Sequence, residues 1–251
     1  MILYEYPFNE RVRTYLRLEH LFKRLGELVA RMQALDHHFA FVTLFEIVDV
    51  LARSDLKAEV LKDIERQKAL FQSYRQNPDI SEAALEAVLG QLNHVFSELN
   101  QLSGKVGSSI AEDEWLSSIR NRISIPGATC SFDLPAYHAW LNRPAAIRQE
   151  ALGQWIASIT PLANAIYLLL KLARATGVPK KVAAVRGVFQ QNLPPGRTFQ
   201  LFRLRLEPTL ELVPEITGNR LLVSVRLLRQ TQEGRLQPCQ EDASFEVSLC
   251  S

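Results

Sequence analysis

Cysteine is scarce: Cys130, Cys239 and Cys250 are the three among 251 residues. So few thiols, so far apart, make neither a disulfide framework nor a zinc site of the usual spacing, and they fit a reducing compartment. Long apolar runs are missing too. The stretch Ile166 to Leu170 ends at Lys171, far short of the ~20 residues that cross a bilayer. The first residues, Met1 to Arg11, carry Glu5 and Glu10 where a secretory signal has basic and then purely apolar side chains, so none is expected. No sign of charge dominates. Lys and Arg number 29 against 27 Asp and Glu, a net +2, so the chain as a whole advertises neither a nucleic acid nor a membrane surface. Phosphate-binding glycine loops and a nucleophile elbow are also absent. What is plentiful is apolar material, 47% of the residues, enough for the core of one large domain or two modest ones.

From Asn9 to about Gly177 the apolar residues recur at helical spacing, as in Leu16, Leu21, Leu25 and Leu28, then Phe41, Leu44, Phe45, Val48 and Leu51. Asn9 followed by Glu10 reads as a helix start. Asn77-Pro78 ends a helix carrying Lys57 to Tyr74, and Ser81-Glu82 begins one to about Leu102. A further helix runs through Trp115 to Ile123, and a long one after Pro144 is expected to bend at Pro161. Beyond Pro179 the period drops to 2, in segments separated by Pro194-Pro195-Gly196, Pro208, Pro214, Gly218-Asn219, Glu233-Gly234 and Pro238. These segments read as strands. Leu221, Val223, Val225 and Leu227 are expected on a core face, and Arg220 and Arg226 together on the other. The expected fold is α+β: a helical, dimerising domain over 9–178, then a mostly antiparallel strand domain over 179–251. Residues 1–8 are expected to join the latter as an N-terminal strand.

Charge follows the same division. Residues 1–176 have a net charge of −1 and 177–251 of +3, and within 180–229 nine basic residues face three acidic ones. Arg203 and Arg205 share one face of their strand by parity. Basic side chains among aliphatic ones suit an acidic, partly apolar peptide; a solvated sheet face without a partner is the plainer alternative. Catalytic readings are weaker. Cys130, Asp133 and His138 are the cluster that invites one, yet partners in a catalytic triad usually converge from distant segments. His37-His38 with Asp36 and Glu46 make a poor metal site, because neighbours on a helix point about 100° apart. A single-stranded nucleic acid could use the same basic face, although Phe199 and Phe202 fall on opposite sides of their strand and stacking aromatics are scarce.

Particular strings go further. Tyr4-Glu5-Tyr6-Pro7-Phe8-Asn9-Glu10-Arg11-Val12-Arg13-Thr14-Tyr15-Leu16-Arg17-Leu18-Glu19 and Ile119-Arg120-Asn121-Arg122-Ile123-Ser124-Ile125-Pro126-Gly127 resemble the ZapD family of bacterial cell-division proteins. So do Cys130-Ser131-Phe132-Asp133-Leu134-Pro135, His138, Trp140-Leu141, Trp155-Ile156-Ala157-Ser158 with Pro161-Leu162, and Gly187-x-Phe189-Gln190-x-Asn192. The resemblance implies a cytoplasmic homodimer at the mid-cell division ring. It implies no enzyme activity, cofactor, metal, nucleic acid or membrane insertion. Its partner would be FtsZ, the tubulin-like filament protein, bound through its C-terminal tail so that the dimer bundles filaments. Basic residues carry that binding in the family, which by local match implies Arg53, Arg220 and Arg226; Arg203 joins them on strand parity. Leu222 departs from the pattern, standing where another basic residue is expected.

Overall fold

Stretches of period 3.6 fold as helices and stretches of period 2 as strands in the computed structural model, which describes every residue except Ser54 and Gln76. Among the described residues the order begins β1 (Ile2–Pro7), α1 (Glu10–Ala30), α2 (Ala34–Ala52), α3 (Leu56–Ser73), α4 (Glu82–Gln101), α5 (Ser108–Ala111) and α6 (Glu114–Ile123). It continues with α7 (Pro135–Leu141), α8 (Ala145–Ala157), α9 (Thr160–Ala175), β2 (Lys180–Ala184), β3 (Val188–Asn192) and β4 (Leu201–Leu206). Last come β5 (Leu212–Gly218), β6 (Leu222–Gln230), β7 (Leu236–Pro238) and β8 (Ala243–Cys250). The chain divides into two compact units, Met1–Tyr15 with Leu170–Ser251, and Leu16–Leu169.

In the helical unit α2 is the central element, burying nine residues from His37 to Leu51. Its Phe41 ring lies 5.0 Å from Trp140 and 5.7 Å from Trp155, and Trp115 stacks on Trp155 at 5.4 Å, so all three tryptophans of the chain join one cluster. Buried aromatic contacts of this kind add ~0.5–1.5 kcal/mol per pair beyond the area they bury. Helix starts are fixed by Asp55, Ser81 and Asp113, whose side chains accept from the N–H of Ala58, Ala84 and Leu116. Two details differ from the periodicity. The buried stripe of α1 is Val12, Tyr15, Leu18, Leu21, Phe22 and Leu25, so Leu21 and Leu25 face inward as expected while Leu16 and Leu28 are only half-buried, because the aromatics share the inward face with the leucines. The segment after Pro144 is two helices, α8 and α9, at 69°. The break falls at Ser158–Ile159, and Pro161 lies in the first turn of α9, where its missing N–H costs nothing.

The strand unit is a sandwich of two antiparallel sheets, one ordered β1-β4-β8-β2 and the other β3-β6-β5 with β7 beside β6. The N-terminal strand does join: β1 pairs with β4 from Ile2↔Leu206 to Pro7↔Leu201. Alternate residues turn inward, so Phe202 and Leu204 of β4, Phe245 and Val247 of β8, and Val223, Val225 and Leu227 of β6 share one core. Leu221 does not share it. It is 72% exposed because β6 begins one residue later. Asn219 makes the turn: its N–H donates to Leu222 O at 2.9 Å and its Oδ1 accepts from Leu221 N at 2.8 Å, leaving Arg220 and Leu221 at the tip. Pro214 likewise lies inside β5 rather than between strands, tolerated because β5 is a sheet edge. Among the described residues no single helix is long and apolar enough to cross a membrane.

Candidate partner-binding site

The four arginines singled out by sequence occupy different settings. Arg220 is exposed at the β5–β6 tip and lines a cleft of about 610 Å³. Arg226 projects from the outer face of β6, opposite Glu215 of β5 and Val188 of β3. Its Nη1 stands 3.6 Å from the Glu215 carboxylate, with both side chains more than half exposed, a contact worth only tenths of a kcal/mol in water. Because Arg220 precedes the strand, the two arginines do not share a face by parity. Arg226 is the fifth residue of β6, whereas Arg220 sits in the turn before it.

Arg203 is held inside its own unit. Glu5, opposite it in the β1–β4 register, accepts from Arg203 Nε at 2.9 Å and is gripped by Arg174 through Nε at 2.9 Å and Nη2 at 2.7 Å. The three side chains are 15–23% exposed. Neighbouring Arg205 similarly faces Glu246 at 3.8 Å. The parity argument placed both arginines on one face correctly but could not show that acids from β1 and β8 occupy it with them. Arg53 belongs to the helical unit, exposed at the C-terminal end of α2, where it lines a smaller cleft of about 330 Å³ with Arg17, His20 and Asp49. Among the described residues neither Arg53 nor Arg220 makes an ion pair, so each guanidinium keeps its donors for an outside acceptor.

The candidate catalytic and metal groups are otherwise engaged. Cys130 Sγ donates to Gly127 O at 3.0 Å and to the Asp133 carboxylate at 3.4 Å, while His138 contacts Asn142. Burial, then the Asp133 carboxylate, push the Cys130 thiol upward, which holds the proton on sulfur and opposes nucleophilic use. His37 is fully buried. Its Nε2–H donates to Arg31 O at 2.8 Å, and its Nδ1 accepts at 2.8 Å from the buried Arg148, which also donates to Leu141 O and Met32 O. His38 Nδ1 shares a hydrogen bond with the Tyr137 hydroxyl at 2.9 Å. Adjacent histidines thus brace different neighbours. Among the described residues no three His, Cys, Asp or Glu side chains gather as metal ligands.

A helical unit followed by a unit of two antiparallel sheets defines an α+β protein, with Arg53 and Arg220 exposed and, among the described residues, outside any ion pair. The family model of ZapD, described as a cell division protein, matches residues 16–226. The chain belongs to that family of cell division proteins.

Proposed function

We propose that the protein acts by binding: it holds the C-terminal tail of FtsZ and, as a homodimer, cross-links FtsZ filaments at the mid-cell division ring. The observation that carries this reading is the Arg220 guanidinium on an exposed turn, with no ion pair among the described residues, in a chain of a cell division family. Arg226 adds exposed charge on β6 of the same unit, and Arg53, in the helical unit, is an exposed cation with no ion pair among the described residues. Arg203 takes part through the Glu5 cluster that fixes β1 to β4.

A few exposed ion pairs at ~0.2–1 kcal/mol each, with some apolar contact, give micromolar affinity, about −8 kcal/mol. Filaments make that sufficient. They present tails in rows, and once one protomer is bound the other meets its tail at high effective concentration. A dimer therefore turns weak tail recognition into lateral bundling. The reading is tested by Arg220→Glu, titrated with a labelled FtsZ tail peptide at low salt. Binding should weaken at least tenfold with an unchanged melting temperature, since Arg220 is exposed and has no ion pair to lose among the described residues. Wild-type affinity would remove Arg220, and the reading built on it.

A further inference from the structure

Three segments distant in sequence meet around the 610 Å³ cleft: Phe8–Asn9, Leu193–Phe199 and Asn219–Leu221. They are tied together by backbone. Phe8 N donates to Gln200 O at 3.0 Å and Leu193 N to Leu221 O at 2.8 Å, while Asn9 Nδ2 donates to Gln200 Oε1 at 2.9 Å. One lip is the turn Pro194-Pro195-Gly196-Arg197. Proline before a glycine at φ 78° is the pattern of a type II turn, which fixes Arg197 as its last residue. Arg197 is exposed, lies 5.6 Å over the Phe199 ring, and makes no ion pair among the described residues. The other lip is the β5–β6 tip, with Arg220 and the 72%-exposed Leu221.

The lining is chemically one-sided. It holds two arginines and no Asp or Glu, and its apolar members include the buried Leu193 and Phe199 below and Leu221 at the rim. A volume in the 300–1,000 Å³ range accommodates a group the size of a few side chains. An occupant complementary to this surface carries carboxylates on either side of an apolar side chain, and a cleft preformed by proline, glycine and an Asn turn spends little entropy in closing on it.

We propose that this cleft seats an apolar side chain of the acidic FtsZ tail, with Arg197 and Arg220 gripping the carboxylates that flank it. The proposal rests on the reading above that the tail is the partner. It adds a specificity element, because Arg226 on the outer face supplies charge alone, whereas the cleft discriminates among acidic peptides by what they insert.

The test uses the full chain and a fluorescein-labelled FtsZ tail peptide in anisotropy titrations, with Arg197→Glu, Leu221→Ser and Arg226→Glu as variants. Arg197→Glu should weaken binding at least tenfold and Leu221→Ser about fivefold, with melting temperatures within about 4 °C of wild type, since Leu221 is exposed and Arg197 gives up only an exposed contact with the Phe199 ring worth about 0.5–1 kcal/mol. A peptide of equal charge with its apolar side chains replaced by serine should bind about fivefold more weakly and be indifferent to Leu221→Ser, the signature of a direct pair. If Arg226→Glu weakens the tail while Arg197→Glu and Leu221→Ser do not, the tail lies on the open sheet and the cleft proposal alone falls. If the wild type does not bind the peptide, the tail reading falls and takes the cleft proposal with it. Displacement of the peptide by a single-stranded oligonucleotide, with Leu221→Ser silent, would make the cleft a general anion site and overturn the apolar anchor.

Discussion

Arg203→Ala should destabilise the strand unit, and Glu5→Gln should do so more. Glu5 receives three charge-assisted hydrogen bonds of 2.7–2.9 Å from two guanidiniums, all on side chains no more than 23% exposed. Removing Arg203 deletes one of them, a loss of about 1.5–3 kcal/mol, but leaves the carboxylate bidentate on Arg174. The expected cost is about 2 kcal/mol. Glu5→Gln instead removes the one carboxylate that both guanidiniums share and keeps two like charges close together in a partly buried site, for which about 3–5 kcal/mol is the scale in a full interior and the lower end applies here. Arg226→Ala breaks a 3.6 Å contact between side chains 60% and 53% exposed and should cost under about 0.5 kcal/mol. At roughly 2–4 °C per kcal/mol for a chain of this size, Arg203→Ala should melt about 4–8 °C lower and Arg226→Ala within about 2 °C of wild type. Because two units can unfold separately, melting should be paired with hydrogen exchange of the β1 and β4 amides, which should accelerate in the order Arg226→Ala, Arg203→Ala, Glu5→Gln. Unchanged exchange and melting in Arg203→Ala, together with lost tail binding, would refute the reasoning and return Arg203 to direct contact with the partner.

Burial lowers the pKa of His38 below its ordinary 6.5, so the unfolded chain takes up a proton that the folded chain resists. Stability is therefore complete above pH 6.5 and declines as pH falls below it. Thermal melts from pH 7.5 to 5.5 should show this slope, reduced in His38→Gln; equal slopes would discard His38 as the source. A Cβ on Gly218 would come within 2.9 Å of Phe8 and 3.1 Å of Tyr6 ring carbons, so Gly218→Ala should cost about 1–3 kcal/mol and loosen β1 in hydrogen exchange. Gly153, inside α8 with open space around it, should gain roughly 0.5–1 kcal/mol as alanine. A Gly218→Ala protein as stable as wild type in urea would show that β1 yields without cost.

Much of the fold can be read from local pattern, because burial on one face imposes its period on the chain. The change from helix to strand near Pro179, the inward set of α2 and the core face of β6 from Val223 to Leu227 are of this kind, whereas the pairing of the N-terminal strand is expected because a strand unit of some 70 residues is marginal alone. The failures are where a pattern stops or where an unseen neighbour decides. Leu221 continues the alternation of β6 in sequence, yet the Asn219 turn takes it out of the sheet. Short α7, between the loop at Ile125 and Pro144, is too brief to declare a period. At the site, the exposure of Arg220 follows from the turn signal Gly218-Asn219. Parity gives the face of Arg203 but not the Glu5 that meets it across β1, and it cannot assemble a cleft whose walls lie some 180 and 210 residues from Phe8 along the chain.

The central claim is tail-dependent bundling, and co-sedimentation tests it most directly. FtsZ filaments with and without their C-terminal tail are mixed with the wild-type protein at ~50 and ~500 mM salt and spun at a speed that pellets bundles but not single filaments. Intact filaments should pellet with the protein at low salt and be largely released at high salt, where exposed ion pairs are screened over a distance well below the ~10 Å of 0.1 M salt. Tail-less filaments should leave both components in the supernatant at either salt. Equal bundling of tail-less filaments would place the contact elsewhere on FtsZ and contradict tail recognition by the arginine-bearing sheet.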